Sequence, residues 1–357
     1  MRKILDLIRI SVVGVSAAAT LSAPAHALLI VPAFDTTLTS QSNAAALEAA
    51  IDTAASTISG LYSNPGTVDV LFEYNSSVLG ESQDGENFVT FSQYVSQLGV
   101  DSAAHPTNTV LSTALANISK GNGATATYVL GTTAFLRVGL GFTGPGTTPC
   151  YNASGTYVSA CGQTYDGVVT IGAVSTAAAG AGQNAQAVSV VEHELDEVLG
   201  GGGTGTTVGE SQSSLAAFLP FPASQQTQFI VGPTDLYRFH STSSTCAGVT
   251  STPSFSTSTS EVACYSINGG STSLVQMNQT GGGADYGDFA TTSPNIPYIQ
   301  DAFYPGTTND YTSSSLEFTM MESIGYDANL PEPSSLVLIA GAIGGLGWFR
   351  RRRALPA

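Results

Sequence analysis

The 357-residue chain has few charged residues, and basic ones are the scarcest. Only 10% of its residues are charged, whereas an average soluble domain has about 25%. Residues 28–330 contain three basic residues, Lys120, Arg137 and Arg238, against 24 acidic ones, a net charge of −21. Nucleic-acid binding depends mainly on Lys and Arg contacts to phosphate. The composition therefore argues against nucleic acid as a partner, and equally against electrostatic adhesion to anionic lipid.

Several chemistries lack their sequence patterns. There is no Gly-x-Ser-x-Gly segment and no glycine-rich loop followed by a lysine, which argues against a nucleophile-elbow hydrolase and a P-loop enzyme. There is no Cys-x-x-Cys, so a thiolate zinc site has no support. No period of 20–50 residues indicates a solenoid or a propeller.

The four cysteines form two sequence-local pairs, Cys150 with Cys161 and Cys246 with Cys264. Four cysteines allow three pairings, and in an oxidising compartment the local pairing closes two short loops. We therefore expect two local disulfides, each stabilising the fold by about 3 kcal/mol in the loop-entropy estimate. Such cysteine use is typical of an exported protein.

The first 27 residues have the layout of a secretory signal peptide. A cationic start, Met1-Arg2-Lys3, is followed by an apolar stretch over 10–21 and by Ala25-His26-Ala27. We predict cleavage after Ala27, so that the mature chain begins at Leu28. The alternative is an amphipathic N-terminal helix.

Residues 331–357 carry a three-part pattern. Pro331-Glu332-Pro333 precedes a 14-residue apolar run over 336–349, and four arginines follow at 350–353. So short a run is at the edge of what can span a bilayer, and the arginines would hold its end in the cytoplasm. The pattern resembles the PEP-CTERM sorting signal of Gram-negative bacteria. The resemblance implies signal peptidase and exosortase-type machinery as partners, transient anchoring in the inner membrane, and delivery to the cell surface or extracellular matrix.

Between these ends the periodicity predicts an α+β fold. Helical spacing and strand alternation interleave early, and short β segments dominate late. Helices are predicted over 43–61, 88–98, 110–118, 185–199 and 316–324, and strands over 68–72, 127–130, 166–171, 235–240 and 262–267. We expect one domain, residues 28–330, with a mixed twisted sheet, a central active-site helix at about 185–199 and a loop-rich, β-containing C-terminal half.

The predicted helix over 185–199 carries the chain's one catalytic pattern. Its apolar residues fall on one face, while His193 and Glu197, four residues apart, lie on the other with Glu194 beside them. His and Glu at this spacing can both bind one Zn²⁺. Glu194 could then accept a proton from a zinc-bound water. This is the zincin pattern His-Glu-x-x-His with Glu as the second ligand; the alternative is a solvated acidic helix face with an incidental histidine.

Several blocks resemble a family of secreted, PEP-CTERM-tagged bacterial zinc metalloproteases related to the metzincin-type zincins. The family's helix reads His-Glu-Ile-Ser-Glu-Val-Met-Gly-Arg; this chain matches it at 193, 194, 197, 198 and 200 and departs at Gly201, where the family prefers Arg. Asp235-Leu236-Tyr237-Arg238-Phe239 and Asp285-Tyr286-Gly287-Asp288-Phe289 also match family blocks. The resemblance implies a zincin-like fold and zinc-dependent peptide hydrolysis.

The third metal ligand is not evident from the sequence. The metzincin pattern would place it six residues after Glu197, at Gly203, which has no side chain. His240 is the candidate, with Asp235 competing, although Asp235 could instead pair structurally with Arg238. Asp285 and Asp288 lie among glycines and could hold Ca²⁺, but they lack the ligand run of an EF-hand, and a solvated turn is favoured.

The sequence therefore predicts a secreted, surface-sorted zinc metalloendopeptidase. His193 and Glu197 would bind Zn²⁺, with His240 as the candidate third ligand. Glu194 would be the general base for attack of water on a peptide or protein substrate. One alternative is a non-catalytic surface or matrix protein on a zincin-like scaffold, and another is a Ca²⁺-stabilised adhesion module.

Overall fold

The computed structural model describes residues 28–144, 146–177, 185–217, 228–280, 284–291, 298–303 and 311–329. The predicted signal peptide (1–27) and the sorting signal (331–357) lie outside the described residues. Helices and mixed sheets both contribute, so the predicted α+β class is confirmed. Within the described ranges, no helix combines the length and the apolarity that crossing a membrane requires.

The first sheet has four strands in the order β1-β2-β6-β3, namely β1 (Leu28–Phe34), β2 (Gly66–Tyr74), β6 (Gly167–Ile171) and β3 (Gly80–Asp84). β1, β2 and β6 run parallel to one another, and β3 pairs antiparallel with β6. All five residues of β6 are buried, as expected for a central parallel strand. The short, polar β3 forms one edge of this sheet.

Two helices pack together against this sheet. α2 (Ala44–Leu61) buries its apolar stripe against β1 and against α5 (Gln186–Val198). α5 also packs against β3 and β6, which places it beneath the antiparallel edge of the sheet. A short helix, α1 (Thr36–Thr39), connects β1 to α2.

Two smaller sheets complete the described fold. β4 (Glu86–Thr90), β5 (Tyr128–Thr132) and β7 (Ile230–Val231) form one, and β11 (Val275–Gln276), β10 (Val262–Tyr265), β8 (Arg238–Ser241) and β9 (Val249–Pro253) form the other. The remaining helices are α3 (Phe91–Ala104), α4 (Thr109–Asn117), α6 (Gln212–Ala217) and α7 (Leu316–Ile324). A π-helical turn occupies Phe135–Gly139.

Both predicted disulfides are present with the local pairing, Cys150–Cys161 and Cys246–Cys264. The second joins the short 3₁₀ turn at Cys246–Gly248 to β10. Among the described residues no cysteine is free.

Most predicted elements match the structure, with two clear departures. The strand predicted over 235–240 begins only at Arg238, because Thr234–Tyr237 forms a 3₁₀ turn instead. The segment expected to be helical over 88–98 begins as β4, and the helix starts only at Phe91. Thr90 ends the strand and caps the helix, because its hydroxyl accepts from Gln93 N while the Gln93 side chain accepts from Thr90 N. A capping box between two apolar stretches is easily read as one continuous helix.

Candidate metal centre

Helix α5, which carries the predicted site, is buried on nearly every side. Its apolar residues at helical spacing face the core: Val188, Val191, Leu195 and Val198. Its acidic residues are buried too, each at most 5% exposed: Glu192, Glu194, Asp196 and Glu197. A solvated acidic face therefore does not describe this helix. Buried carboxylates must be offset by hydrogen bonds, protons or cations.

The end of α5 brings the following glycines back under the helix. Gly200 has a φ of +89°, a conformation that glycine adopts without strain. Its N–H and that of Gly201 donate to Glu197 O and Asp196 O, which satisfies the last carbonyls of the helix. The reversed chain then places Gly203 N 3.0 Å from Glu197 Oε1. Gly203, where the metzincin pattern would have its third ligand, thus lies beside Glu197 and orients its carboxylate through the backbone.

His193 is held with one ring nitrogen free for a metal. Its Nδ1 lies 2.9 Å from Ile299 O. Because a carbonyl oxygen only accepts, Nδ1 carries a proton, so Nε2 is the nitrogen that a metal could bind once the ring is neutral. The Ile299 segment is itself fixed by Glu317 of α7, whose Oε1 accepts from Ile299 N at 2.6 Å and from Gln300 N at 3.2 Å. Such a carbonyl contact is the usual outer support of a metal-binding histidine.

Glu197 points its carboxylate at the same place. Ser82 of β3 donates to its Oε2 at 2.8 Å, which leaves Oε1 3.6 Å from His193 Nε2. The edge strand and the glycine turn therefore orient this side chain from two directions.

Asp288 completes the group from a distant loop. Its Oδ1 lies 4.0 Å from His193 Nε2, is buried, and has no hydrogen-bond partner. Buried Arg238 fixes the loop by donating to Tyr286 O and, at 2.9 Å, to Asn278 O. Arg238 thus supports the backbone that presents Asp288.

His193, Glu197 and Asp288 can each offer one ligand atom, and these atoms lie within 4.8 Å of one another. One imidazole nitrogen and two carboxylate oxygens form a donor set that suits zinc and related divalent ions. The orphaned Oδ1 of Asp288 is the observation that fits such an ion best, because a buried carboxylate oxygen ordinarily has a partner.

Glu194 lies next to this group, beneath the start of β3. A Cβ atom built on Gly80 would stand 2.2 Å from Glu194 Oε1 and 2.7 Å from Val190 Cγ1. The strand therefore approaches the helix closely enough that only glycine leaves room for the Glu194 carboxylate.

Electrostatics favours a cation here. Burial, with Glu197 adding to it, raises the pKa of Glu194 well above its usual range, while His193 opposes the shift. Burial also raises the pKa of Glu197 and, together with Glu197, that of Asp288. Burial alone would lower the pKa of His193, but Glu194 and Glu197 raise it above its usual value. A single imidazolium cannot balance three carboxylates, whereas a divalent cation would hold them ionised.

A cavity of about 1180 Å³ adjoins the group at Glu197, Gly203 and Asp285. β3 and the Cys150–Cys161 loop contribute two of its walls. Five carboxylates line it, with no Lys, Arg or His among the described lining residues: Asp84, Glu86, Glu197, Glu210 and Asp285.

The two candidates for the third ligand lie outside the group. His240 is in β8, where it pairs with Ala263 of β10. The Asp235 carboxylate accepts from Thr206 Oγ1 at 2.5 Å, Thr207 N at 2.8 Å and Gly232 N at 2.8 Å. Neither residue belongs to a converging ligand group among the described residues. Asp235 instead fixes the backbone around these turns.

The sequence suggests Asp288 only as a Ca²⁺ ligand or as part of a solvated turn, whereas the structure leaves it 2% exposed beside His193 and Glu197. The sequence feature that could have pointed to Asp288 is the block Asp285–Phe289, in which this aspartate directly precedes the apolar Phe289. No protein-family model, curated protein or solved structure matches this chain. Membership of the PEP-CTERM-tagged zincin family stays a prediction.

Proposed function

We propose that this chain is an exported zinc-dependent metalloendopeptidase. His193, Glu197 and Asp288 hold the metal, and Glu194 is the general base. The convergence of these three ligands on a buried helix face, with a fourth carboxylate beside them, is the observation that carries the proposal. Asp288 takes the place in which the sequence suggested His240.

The residues of the site have separate roles in the proposed reaction. A bound Zn²⁺ supplies a water of lowered pKa and a Lewis acid for the substrate carbonyl. Glu194 takes the proton from the attacking water and returns it to the leaving amine. Ile299 O fixes the tautomer of His193, while Ser82 and Gly203 fix Glu197. These contacts keep the two α5 ligands aligned during turnover.

A peptide substrate suits the surroundings of the site. β3 is an edge strand beside α5, and its residues Ser82 and Asp84 line the cavity. An edge strand offers unpaired backbone groups to which an extended peptide can add as a further strand. This favours peptide bonds over other hydrolysable groups.

Export and sorting are part of the proposal. Two disulfides are consistent with an oxidising compartment. We expect a mature product that begins near Leu28 and lacks the Arg350–Arg353 cluster. Intact mass of the protein exported by a sorting-competent host tests this, and a product that retains the arginines contradicts the assignment of the tail.

The catalytic proposal is tested by two variants that should fail differently. Glu194→Gln keeps the size of the side chain but cannot take a proton. It should retain zinc while hydrolysis of an unstructured protein falls about 10²-fold or more. His193→Ala removes a ligand, so zinc and activity should be lost together. On the same preparations, elemental analysis gives the zinc content and a cleavage assay gives the rate of hydrolysis.

The matched control is Glu81→Gln, because Glu81 is exposed on β3 next to the residue that contacts Glu197. It should leave zinc content and hydrolysis unchanged. If the wild type binds no zinc on refolding, or if Glu194→Gln cleaves as fast as the wild type, the proposal is wrong. A zinc-binding but inactive wild type would favour a matrix protein on the same scaffold.

A further inference from the structure

A second group of possible metal ligands lies where the end of α3 meets the chain after α7. Asp101, His105 and Asp327 each offer a ligand atom, and these atoms lie within 4.8 Å of one another. His105 Nδ1 is 2.9 Å from Asp101 Oδ1 and 2.8 Å from Asp327 Oδ2. None of the three residues belongs to the centre on α5.

Hydrogen bonding within the group leaves acceptors unused. Nδ1 carries at most one proton, yet two carboxylates approach it equally closely. The second oxygens, Asp101 Oδ2 and Asp327 Oδ1, are buried and make no hydrogen bond of good geometry, although the Asp101 and Asn108 side chains lie close enough to Asp327 to shift its pKa. The Asp327 side chain is only 6% exposed. Orphaned carboxylate oxygens at this depth are costly unless a cation or a proton binds them.

The charge balance leads to the same conclusion. Two carboxylates face a single imidazole here, in a chain whose body already has a charge of −21. A divalent ion would neutralise both carboxylates and leave the imidazole neutral as a ligand.

The backbone holds the ligands in place from both sides. His105 N donates to Asp101 O at 2.9 Å, which fixes the end of α3. Asp327 N donates to Asn64 Oδ1 at 2.7 Å, and Asp327 O accepts from Ser63 N at 2.9 Å. The ligands are therefore held in place before an ion binds, so binding costs them little conformational entropy.

We propose that Asp101, His105 and Asp327 form a second, structural site for a divalent ion of the zinc class. One nitrogen and two oxygens suit Zn²⁺, whereas Ca²⁺ takes oxygen ligands. The His105 side chain is 46% exposed, so water can complete the coordination. The ion ties α3 to the segment that closes the described fold, which ends at Asn329 just before the predicted sorting signal.

Zinc stoichiometry separates this site from the centre on α5. The mature protein and its His105→Ala, Asp327→Asn and His193→Ala variants are loaded with zinc, desalted and analysed for metal per chain. We expect about two ions in the wild type, about one in each single variant and none in His105→Ala/His193→Ala. His240→Ala is the matched control and should keep both ions.

Thermal unfolding supplies a reading that does not depend on activity. Zinc added to the metal-free His193→Ala variant should raise its melting temperature by several degrees, since the ion binds only the folded chain. Calcium should not, and zinc should not affect the double variant. Asp327→Asn keeps the backbone contacts of Asp327, so it tests the same ligand set if His105→Ala folds poorly.

The proposal is overturned if His105→Ala and Asp327→Asn hold as much zinc as the wild type. It is also overturned if His105→Ala melts lower but zinc leaves metal-free His193→Ala unchanged, because the group is then an ordinary ion-pair network. Failure of the catalytic proposal looks different: His193→Ala would keep the zinc content of the wild type, while His105→Ala would lose an ion.

Discussion

At the scale of single residues, Asp288 and His240 are rivals for the third ligand position, and a pair of variants separates them. Asp288→Asn keeps the shape of the side chain but removes its charge, so zinc affinity at the α5 centre should fall by at least about 100-fold. His240→Ala should leave it unchanged, because His240 lies in a strand outside the group. Competition with a chelator measures both affinities, in the His105→Ala background so that one site is read.

The opposite ranking, with zinc lost in His240→Ala and kept in Asp288→Asn, would contradict this choice of ligand. Asp285→Asn is a useful third variant. The exposed Asp285 lines the cavity beside Gly203 without belonging to the ligand group. It should alter substrate binding more than zinc binding.

The proximity of His193 and Glu197 could be predicted from the sequence, and that of Asp288 could not, for a physical reason. His193 and Glu197 are one helical turn apart, so their convergence follows from local geometry alone. Asp288 reaches them only through the tertiary fold. Its loop is positioned by Arg238, whose guanidinium donates to the loop's carbonyls. The contacts of Arg238 with Tyr286 O and Asn278 O join residues that are far apart in the chain, so no short sequence pattern predicts them.

At the scale of elements, the close approach of β3 to α5 should be essential for catalysis. Gly80→Ala would place a methyl group against Glu194 Oε1 and Val190, so the strand or the carboxylate must move. We expect hydrolysis to fall about 10-fold or more while zinc content is kept, because a small misplacement of a catalytic group is costly. Activity and metal analyses of the same sample test this.

Gly99→Ala is the matched control, since a Cβ there meets no atom within 4 Å. Gly99 lies inside α3, so this change should preserve activity and stabilise the helix by up to about 1 kcal/mol. Equal activities of the two variants would show that the contact between β3 and α5 does not position Glu194.

The helices and strands differ in how well their sequences predict them. α2, α5 and α7 bury apolar stripes, and the helical period over 43–61, 185–199 and 316–324 predicts them closely. β3 was missed because its five residues, GESQD, are polar or glycine and show no alternation. Its strand structure comes from pairing with β6, and its Ser82 donates to Glu197 of the candidate ligand group. The candidate site thus includes an element that local propensity describes poorly.

At the scale of the whole molecule, buried carboxylates should set the pH dependence of stability. Burial raises the pKa of Glu322 to about 7, well above its usual value. A raised pKa in the folded state stabilises the fold at low pH, and this stability is lost as the pH rises from about 4.5 through 7. Glu322→Gln mimics the protonated form, so in chelator at pH 8 the variant should be more stable than the wild type, by about 1 kcal/mol after allowance for solvent screening of this partly exposed carboxyl.

Urea unfolding at pH 5 and pH 8 tests this difference. The wild type should lose more stability between the two values than Glu322→Gln, whereas Glu81→Gln, exposed on β3, should follow the wild type. If the free energies of unfolding of the wild type and Glu322→Gln change equally between pH 5 and pH 8, burial does not raise the pKa of the Glu322 carboxyl.

The charge of the cavity leads to a prediction about substrates, which rests on the proposed peptidase activity. Five acidic residues and no basic residue line the described cavity walls, so above pH 7, where Glu86 with its burial-raised pKa of about 7 is ionised, the potential of the cavity attracts cations. Lysine-rich peptides should therefore be cleaved with a kcat/KM about 10-fold or more above that of glutamate-rich peptides of equal length. The ratio should shrink at about 1 M salt, where the Debye length is about 3 Å.

Glu86→Gln combined with Glu210→Gln should lower the preference for lysine-rich peptides and leave the zinc content unchanged, because both residues line the cavity outside the ligand group. A preference for acidic peptides, or a ratio that salt does not change, would show that charge does not select the substrate.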